Sequence, residues 1–331
     1  MQLLATTPGL YPLPDDAKET LSDLKGHQRG DMIDGDEGAE IVAVYDDVRT
    51  ELTHAQAGAG LDRVVEGQAR WDDMLAHPLV VHDNVETGGI VRYYDNNNFY
   101  RDPIVRGELS FDGDMAAELE AATTLTDDLQ AVAPGPYSLA DLATNEHYED
   151  EAAFLDAIAD FLAAEIEAFP AAVETLFLLE PSLVTNPPTD GVDERVSRAI
   201  DVVAEAIDVP VVVQTYWGSL EEKVHAHLLD ADVDAIGYDF VSDHDGNASL
   251  IAEYGTKDDV ALGLVDGQNT LIEDPETIVE RVEWIETQTP PSQDFETVYL
   301  TSNTELFYLP VNRFEDKLAA LADANELGVD A

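Results

Sequence analysis

Two carboxylates, Glu180 and Asp239, each follow a run of apolar residues that is typical of a buried strand. They stand in LLEPSL (178–183) and VDAIGYDF (233–240). A carboxylate at the end of a buried strand can serve as a general acid, a general base or a metal ligand, because apolar surroundings shift its pKa. The alternative is a carboxylate that caps the next loop or helix. We predict catalytic roles for both, and Pro181 after Glu180 favours a fixed side-chain position.

Several other polar side chains also follow apolar runs and are predicted to bind substrate. These residues are Gln68, Thr215, Tyr216, Ser302 and Asn303. A further candidate, Asn97, lies in the aromatic stretch VRYYDNNNFYRDP (91–103). This stretch predicts either a lid that binds a small polar ligand or a packed hairpin with an Asn-rich turn.

The elements that position these residues alternate between short β-branched runs and amphipathic helical segments. The predicted strands cover 2–7, 61–67, 129–135, 175–180, 210–216, 233–239, 259–267 and 296–302. The predicted helices cover 37–60, 150–169, 193–207, 219–231, 275–288 and 312–326. Eight parallel strands, each followed by a helix, predict an α/β fold with one (β/α)8 barrel over residues 1–331. Active sites of such barrels form at the C-terminal ends of the strands, where the candidate residues lie.

One segment interrupts this alternation. Residues 88–111, GGIVRYYDNNNFYRDPIVRGELSF, predict a β-hairpin inserted between the second and third strands. We expect the insertion on the side of the barrel that carries catalytic loops. No low-complexity linker divides the chain, so a single domain is the simpler prediction.

The chain is strongly acidic. Its 331 residues include 70 Asp and Glu against 16 Lys and Arg, for a net charge of −54, and the acids are spread along the whole length. This pattern predicts a solvated acidic surface, which repels nucleic acids and anionic lipids. Self-repulsion of this size destabilises a compact state at low ionic strength, so we predict a halophilic protein. Without a leader or a spanning apolar run, we expect a cytoplasmic chain.

Metal and nucleotide sites have little support in the sequence. The absence of cysteine excludes disulfides, thiolate nucleophiles and Cys-ligated metals. His225 and His227 form an H-x-H pair like that of barrel metallohydrolases, but they lie in a helical pattern where residues two apart point away from each other. VDGQNT (265–270) has too few glycines for a nucleotide-binding loop.

Six segments, in order along nearly the whole chain, resemble motifs of the cobalamin-independent methionine synthase family. They are TTPGLYP (6–12, family T-T-x-G-S-F-P), GLDRVVEGQARWDDM (60–74, A-G-L-D-x-x-x-x-G-E-x-x-R-x-D-M), GPYSL (135–139, G-P-x-T-hydrophobic), LLEPSL (178–183, D-E-P-A-L), LGLVDGQN (262–269, L-G-V-I-D-G-R-N) and TSNTELFYLP (301–310, S-C-S-L-L-H-V-P). The last motif is similar to that of the family's N-terminal, zinc-free barrel. The resemblance implies a (β/α)8 fold and a role in methyl transfer to homocysteine.

The resemblance also implies where the chemistry of this family takes place. In full-length members a second, C-terminal barrel carries zinc, homocysteine and methyl-folate, and the zinc activates the homocysteine thiol as a nucleophile. The zinc ligands are a His, a Cys, a Glu and a Cys, and the matching positions here hold Tyr216, Gly218, Asp239 and Thr304. One carboxylate cannot hold a catalytic zinc where three protein ligands are typical.

Other family positions are also changed in this sequence. The family's homocysteine-binding Glu corresponds to Gln68, and its pterin-packing Trp falls at Leu142. The Ser of the first motif corresponds to Leu10, and the Asp of D-E-P-A-L corresponds to Leu179. We therefore expect no cofactor on this chain, and we expect zinc and methyl-folate on a partner chain.

Three functions remain open from the sequence. The first is a zinc-less, N-terminal-type subunit that acts in methionine biosynthesis beside a zinc-bearing methionine synthase barrel. The second is a self-sufficient barrel enzyme that uses Glu180 and Asp239 for acid/base work on another small polar substrate. The third is a non-catalytic barrel that binds a small molecule.

The charge of the chain generates a first test. We expect the thermal unfolding temperature to rise steeply between about 0.1 M and about 1 M KCl, because the Debye length falls from about 10 Å to about 3 Å. Circular dichroism melts at constant pH measure this dependence. An unfolding temperature that is highest at low salt would contradict the halophilic prediction.

Overall fold

The computed structural model describes residues 1–22, 32, 37–94, 96–189, 191–290 and 294–328. Its strands, numbered along the chain, are β1 (Gln2–Ala5), β2 (Val64–Val65), β3 (Val85–Arg92), β4 (Phe99–Val105), β5 (Leu129–Pro134), β6 (Thr144–Asn145), β7 (Val173–Leu179), β8 (Val211–Gln214), β9 (Ala235–Asp239), β10 (Asp259–Val265) and β11 (Thr297–Ser302). Each of the eight predicted barrel strands overlaps one of these. The prediction of one domain over 1–331 stays a prediction.

Eight of these strands form one parallel sheet. Its order is β1-β11-β10-β9-β8-β7-β5-β2, so sequence neighbours lie side by side around the sheet. Its two end strands approach each other, because the backbone N–H groups of Asp62 and Arg63 donate to the carbonyl of Ala5 at 3.0 and 3.3 Å. The predicted α/β class and TIM-type barrel are confirmed.

Helices follow the barrel strands and pack outside them. They are α1 (Asp15–Ser22), α2 (Ala39–Ala59), α3 (His77–Val80), α4 (Asp114–Ala122), α5 (Pro136–Asp141), α6 (Glu151–Glu167), α7 (Ser182–Thr185), α8 (Asp193–Ala204), α9 (Glu222–Asp230), α10 (His244–Tyr254), α11 (Pro275–Gln288) and α12 (Val311–Leu327). As predicted, a glycine terminates α2, since Gly60 follows it with a left-handed φ of 96°, and α11 begins at Pro275. Across the described ranges, no helix has the length and apolar character needed to span a bilayer.

The barrel strands are buried on both faces, which explains why they are continuous apolar runs. Every residue of β5, β8 and β9 is buried. Such strands cannot alternate polar and apolar residues, because helices cover one face and the barrel interior covers the other. A few polar side chains inside the barrel form hydrogen bonds with one another or with the backbone. Thr6 Oγ1 donates to Gln130 Oε1 at 2.8 Å, and Gln130 Nε2 donates to the backbone carbonyl of Thr7 at 2.8 Å.

The predicted insertion is a β-hairpin. Strands β3 and β4 pair antiparallel, and β6 adds to β4 in parallel. An ion pair holds the hairpin to the loop after β2, because the Arg101 guanidinium contacts Asp73 at 3.1 Å. Within the small sheet, Thr144 Oγ1 on β6 donates to Asp102 Oδ1 on β4 at 2.9 Å. The strands begin three residues before the predicted segment and end six residues before its end, so Arg106 to Phe111 lie outside them.

Close packing of the strand ends generates a second test. A Cβ atom at Gly263 would lie 2.6 Å from the Cα of Asn303 and 2.9 Å from the carbonyl oxygen of Tyr238, and backbone atoms cannot move aside easily. We expect Gly263→Ala to lower the free energy of unfolding by about 1–3 kcal/mol, the usual effect of overpacking. Urea unfolding at fixed salt measures the change.

A second glycine supplies the matched control. Gly58 lies on an exposed part of α2, and a Cβ atom added there would have no neighbouring atom within 4 Å. Gly58→Ala should raise stability by up to about 1 kcal/mol, because alanine favours the helix. Equal unfolding midpoints for Gly263→Ala and the wild type would contradict the close approach.

Candidate functional site

The tip of the hairpin covers the C-terminal ends of the barrel strands. Tyr94 Oη and Ser182 Oγ are 2.8 Å apart, and Asn96 Nδ2 donates to Tyr308 Oη at 2.8 Å. The rings of Tyr93 and Tyr94 pack against Trp217, with centroids 6.0 and 5.0 Å away. The tip therefore closes this end of the barrel, which we call the barrel mouth, with aromatic side chains.

Asp239 lies at the end of β9 with no exposed surface. Its Oδ1 accepts hydrogen bonds from the backbone N–H groups of Val241 and Ser242, at 2.9 and 2.7 Å, and from Asn303 Nδ2 at 3.1 Å. Its Oδ2 accepts from the backbone N–H of Trp217 at 2.8 Å. The carboxylate therefore connects the loops that follow β8, β9 and β11 by hydrogen bonds. Its catalytic role stays a prediction.

Glu180 follows β7 directly and is also fully buried. Its Oε1 accepts from the N–H of Tyr137 at 2.9 Å, and its Oε2 accepts from the N–H and Oγ of Ser138 at 2.8 and 2.6 Å. Burial raises the pKa of Glu180 to about 7, against the opposing effect of these hydrogen bonds. Glu180 thus caps the first turn of α5 and can still exchange a proton near neutral pH.

The residues predicted to bind substrate occupy different surroundings. Asn303 accepts from the N–H of Gly267 at 2.9 Å and contacts Asp239, so these two candidates lie together. Gln68 Oε1 accepts from the N–H of Leu10 at 2.8 Å. Thr215 and Ser302 donate their hydroxyls to nearby carbonyls, at 2.7 Å each. Asn97 is exposed in the hairpin turn, and the substrate-binding roles of this set stay predictions.

The backbone at the barrel mouth is strained at several non-glycine residues. Left-handed φ angles occur at Leu10 (48°), Gln68 (49°), Tyr94 (45°) and Trp217 (71°). Such conformations cost about 1–3 kcal/mol each and persist where surrounding contacts enforce them. Here the backbone N–H of Leu10 donates a hydrogen bond to Gln68 Oε1, and that of Trp217 donates one to Asp239 Oδ2. Strain of this kind is concentrated at functional sites, which supports the mouth as the candidate site.

Glu305 lies three residues beyond β11 and has no exposed surface. Burial raises the pKa of the phenols of Tyr93, Tyr216 and Tyr308, and the neighbouring Glu305 carboxylate raises it further. Burial also raises the pKa of Glu305 itself to about 7. The hydroxyls of Tyr93, Tyr216 and Tyr308 lie within hydrogen-bonding reach of the Glu305 carboxylate, although within the described residues no bond to either of its oxygens has normal geometry.

The histidine pair lies away from the barrel mouth. His225 is buried, its Nε2 lies 2.8 Å from Tyr238 Oη, and burial lowers its pKa to about 4. His227 faces Asp193 instead, with 3.6 Å between Nε2 and Oδ2. The two histidines of α9 therefore contact different elements, Tyr238 on β9 and Asp193 on α8. Their rings point away from each other, as their spacing predicts.

Comparison with known proteins identifies the family. A family profile described as "Cobalamin-independent synthase, N-terminal domain" matches residues 81–290, which is more than half of the chain. The chain belongs to this family. A methionine synthase of Saccharolobus solfataricus is 23% identical over 335 residues, which cover 99% of this chain and 95% of that protein. A methionine synthase of Sulfurisphaera tokodaii is 24% identical over 283 residues, covering 83% and 79%.

Two solved structures share the fold. A B12-independent methionine synthase from Shewanella sp. W3-18-1, in complex with selenomethionine, superposes with a TM-score of 0.74 at 20% identity and covers 88% of this chain and 89% of its own. A putative vitamin-B12 independent methionine synthase from Listeria monocytogenes superposes with a TM-score of 0.69 at 18% identity, and all of both chains is covered. At these identities the likeness concerns the fold alone.

The zinc site that the cobalamin-independent synthase family implies does not fit the residues of this chain. Tyr216, Gly218 and Thr304 offer no strong zinc ligand, and both oxygens of Asp239 are taken up by donors. Within the described ranges, no group of three or more His, Cys, Asp or Glu residues could hold a metal ion.

The sequence did not reveal Glu305, Tyr93 or Tyr308 as members of the site. The polar strand end at Ser302 and Asn303 draws attention, but Glu305 stands just beyond it, directly before the apolar run LFYLP. The sequence feature that could have indicated Glu305 is a charged residue at the edge of this apolar run. The contribution of Tyr93 depends on where the hairpin folds, so no local pattern indicates it.

The buried carboxylate generates a third test, on stability against pH. A rise of the Glu305 pKa from 4.5 to about 7 on folding corresponds to about 3 kcal/mol. Because the folded state holds this proton more tightly, stability is lost as the pH rises from 4.5 to about 7 and stays lost above it. We expect Glu305→Gln to match the wild type near pH 4 and to be more stable by about that amount at pH 8.

Urea unfolding of both proteins over this pH range measures the difference. Subtracting one curve from the other cancels the many carboxylates that the two proteins share. Glu167→Gln, at an exposed position of α6, is the control and should give a difference that does not change with pH. A pH-independent difference for Glu305→Gln as well would contradict the raised pKa.

Proposed function

We propose that this chain acts in methyl transfer to homocysteine as a zinc-free barrel that works with a zinc-bearing methionine synthase barrel on a partner chain. Zinc and methyl-folate would be bound by that partner. Membership of the cobalamin-independent synthase family supports the reaction, and relatives named methionine synthase span nearly the whole chain. The proposal that this chain binds no zinc rests on the side chains of the barrel mouth.

The observation that carries the proposal is the hydrogen bonding of Asp239. It occupies the position of the family's zinc-binding Glu, yet both of its oxygens accept from donors in three loops. Replacing four hydrogen bonds with a metal bond would release Trp217 and the loop after β9. An activated thiolate therefore has to come from metal held elsewhere, since a thiol with a free pKa near 8.5 is mostly protonated at neutral pH.

The outer face of the hairpin supports a contact with a partner chain. Ile90 and Phe99 are exposed to 75% and 52% and share this face, because Phe99 lies opposite Arg92, which is two residues from Ile90 on the same strand. Exposed apolar side chains that cluster on a strongly acidic protein mark an interaction surface. A partner that covers them would sit over the end of the barrel where the family's chemistry takes place.

An acid/base enzyme acting alone is the second candidate function. One observation favours it, namely that burial raises the pKa of Glu180 to about 7, a value suited to proton transfer at neutral pH. Asp239 is a poor partner for Glu180 in such a role, because its oxygens are occupied by hydrogen bonds. The activity of the isolated chain separates the two functions.

Reconstitution tests the proposed function. The chain is assayed for methionine formation from homocysteine and methyl-folate with added zinc at about molar KCl, alone and with the zinc-bearing barrel protein of the same organism. We expect methionine only when both chains are present. Methionine formation by the isolated chain at the rate of the mixture would overturn the proposal.

Hairpin variants make the test sharper. Ile90→Asp places a charge in the exposed apolar face and should raise the Kd for the partner by about tenfold or more, since about 1.4 kcal/mol is tenfold in affinity. Leu327→Asp is the matched control, because Leu327 is 55% exposed at the end of α12, away from the hairpin. Analytical ultracentrifugation of the mixture measures both. Equal effects of the two variants would rule out the hairpin as the docking surface.

A further inference from the structure

Glu66 is a buried carboxylate that directly follows β2. Only 4% of the residue is exposed. Its Oε1 accepts a hydrogen bond from the backbone N–H of Gln68 at 2.9 Å. Gln68 has a left-handed φ of 49°, a conformation that residues other than glycine seldom adopt. The Glu66 carboxyl group therefore fixes a strained turn at the barrel mouth.

The turn at Gln68 is joined to the loop after β1. Gln68 Oε1 accepts from the backbone N–H of Leu10 at 2.8 Å, and the carbonyl of Gly67 accepts from the N–H of Tyr11 at 3.2 Å. A Cβ atom at Gly9 would lie 2.3 Å from Gln68 Oε1, so the side-chain amide lies directly against this loop. A shift of Gln68 therefore displaces the loop after β1 as well.

The charges around Glu66 belong to an ion-pair network that joins α2, α4 and the loop after β2. Its pairs are Arg49 with Asp46 and Glu118, and Arg70 with Glu118 and Glu37. Two arginines are thus shared by three carboxylates before Glu66 is counted. An ionised Glu66 adds a further negative charge to this network, so the charge balance as well as burial favours its protonated form.

The carboxyl group of Glu66 titrates far above the usual range of a glutamate. Burial and, to a smaller degree, the Glu118 carboxylate raise the pKa of Glu66 to about 8, against the opposing effect of Arg49. Asp114 on α4 adds to the rise. The phenol of Tyr11, after β1, also interacts with Glu66, and burial raises its pKa so that it stays neutral over the same range. The charge at the turn therefore changes within the pH range in which enzymes work.

We propose that Glu66 is a positioning residue whose ionisation strengthens the hold of the barrel mouth on Gln68 and, through it, on Leu10. A hydrogen bond to an ionised carboxylate is roughly twice as strong as one to a neutral carboxyl group. Ionisation lowers the stability of the whole fold, because the folded state holds this proton more tightly than the unfolded chain does. It nevertheless strengthens the one bond that fixes the turn. The inference rests on the proposed function only in taking the mouth as the place where substrate binds.

NMR of the backbone amides in the isolated chain tests the hydrogen bond. Spectra are recorded in KCl between about pH 5 and about pH 9.5, which spans the ordinary and the raised pKa of a carboxyl group. We expect the amide proton of Gln68 to move downfield as the pH rises, with a midpoint well above the ordinary 4.5, and the amide of Leu10 to follow with the same midpoint. An unchanged Gln68 amide, or a Leu10 amide that does not follow it, would overturn the proposal.

Two variants assign the titration. Glu66→Gln keeps an oxygen that accepts from the N–H of Gln68 but cannot ionise, so the pH-dependent shift at Gln68 and Leu10 should disappear. Glu165→Gln is the matched control, because Glu165 is also buried and accepts from the backbone N–H groups of Asp112 and Gly113. It should leave the shift at Gln68 as it is in the wild type. A shift that persists in Glu66→Gln would assign the titration to another group and contradict the inference.

Methyl transfer in the reconstituted mixture supplies the functional measurement. The ratio of kcat/KM for Glu66→Gln to that for the wild type cancels the titrations that the two mixtures share. We expect this ratio to fall by about fivefold as the pH rises through the midpoint found by NMR, mainly through KM, because only the wild type gains the stronger bond. A ratio that does not change with pH would rule out the positioning role. The NMR titration needs no partner chain, so a mixture that forms no methionine contradicts the proposed function and leaves the titration intact.

Discussion

The hydrogen bonds of the Asp239 carboxylate hold the barrel mouth together. This one side chain joins the loops after β8, β9 and β11 through the N–H groups of Trp217, Val241 and Ser242 and the amide of Asn303. It thereby keeps Trp217 in a left-handed conformation that a bulky residue rarely adopts. Trp217 is the ring against which the hairpin tyrosines pack, so the cover of the barrel depends on this carboxylate.

The few cations of the chain serve specific contacts between elements. Arg49 and Arg70 both pair with Glu118 on α4, and Arg70 also pairs with Glu37 at 2.6 Å. Lys317 on α12 is fully buried, and its Nζ contacts Glu273 at 2.8 Å. In a chain with a net charge of −54, these partly or fully buried pairs are screened by salt less than surface pairs are. They attach the outer helices and loops to the barrel.

A shared barrel leaves the chemistry of each family member to its strand ends. Asp239, which the sequence motifs match to a zinc-binding carboxylate of the family, accepts hydrogen bonds from Trp217 and Asn303 in two other loops. A different carboxylate, Glu305, is buried at the same end of the barrel beside the hydroxyls of Tyr93, Tyr216 and Tyr308. The function of this chain therefore depends on the side chains at the barrel mouth, because one fold hosts many activities.

The sequence by itself determined the barrel and the absence of thiol chemistry from the chain. Eight apolar runs separated by helical patterns predict the parallel sheet, because strands buried on both faces need continuous apolar residues. The absence of cysteine excludes thiolate ligands on composition alone. Helix α10 was not predicted, since Gly246 and Asn247 in its first turns obscure the pattern, and Asp243 caps it instead.

Only the tertiary structure decided what the candidate residues contact. Asp239 and Glu180 look alike in sequence, because each is an acid that follows an apolar strand. In the structure, burial raises the pKa of Glu180. The Asp239 carboxylate accepts hydrogen bonds from donors in three loops. The cluster of Glu305 with Tyr93, Tyr216 and Tyr308 joins residues up to 215 positions apart on three loops. Local patterns carry no information about such contacts, because they arise when the closed sheet brings distant strand ends together and the hairpin folds over them.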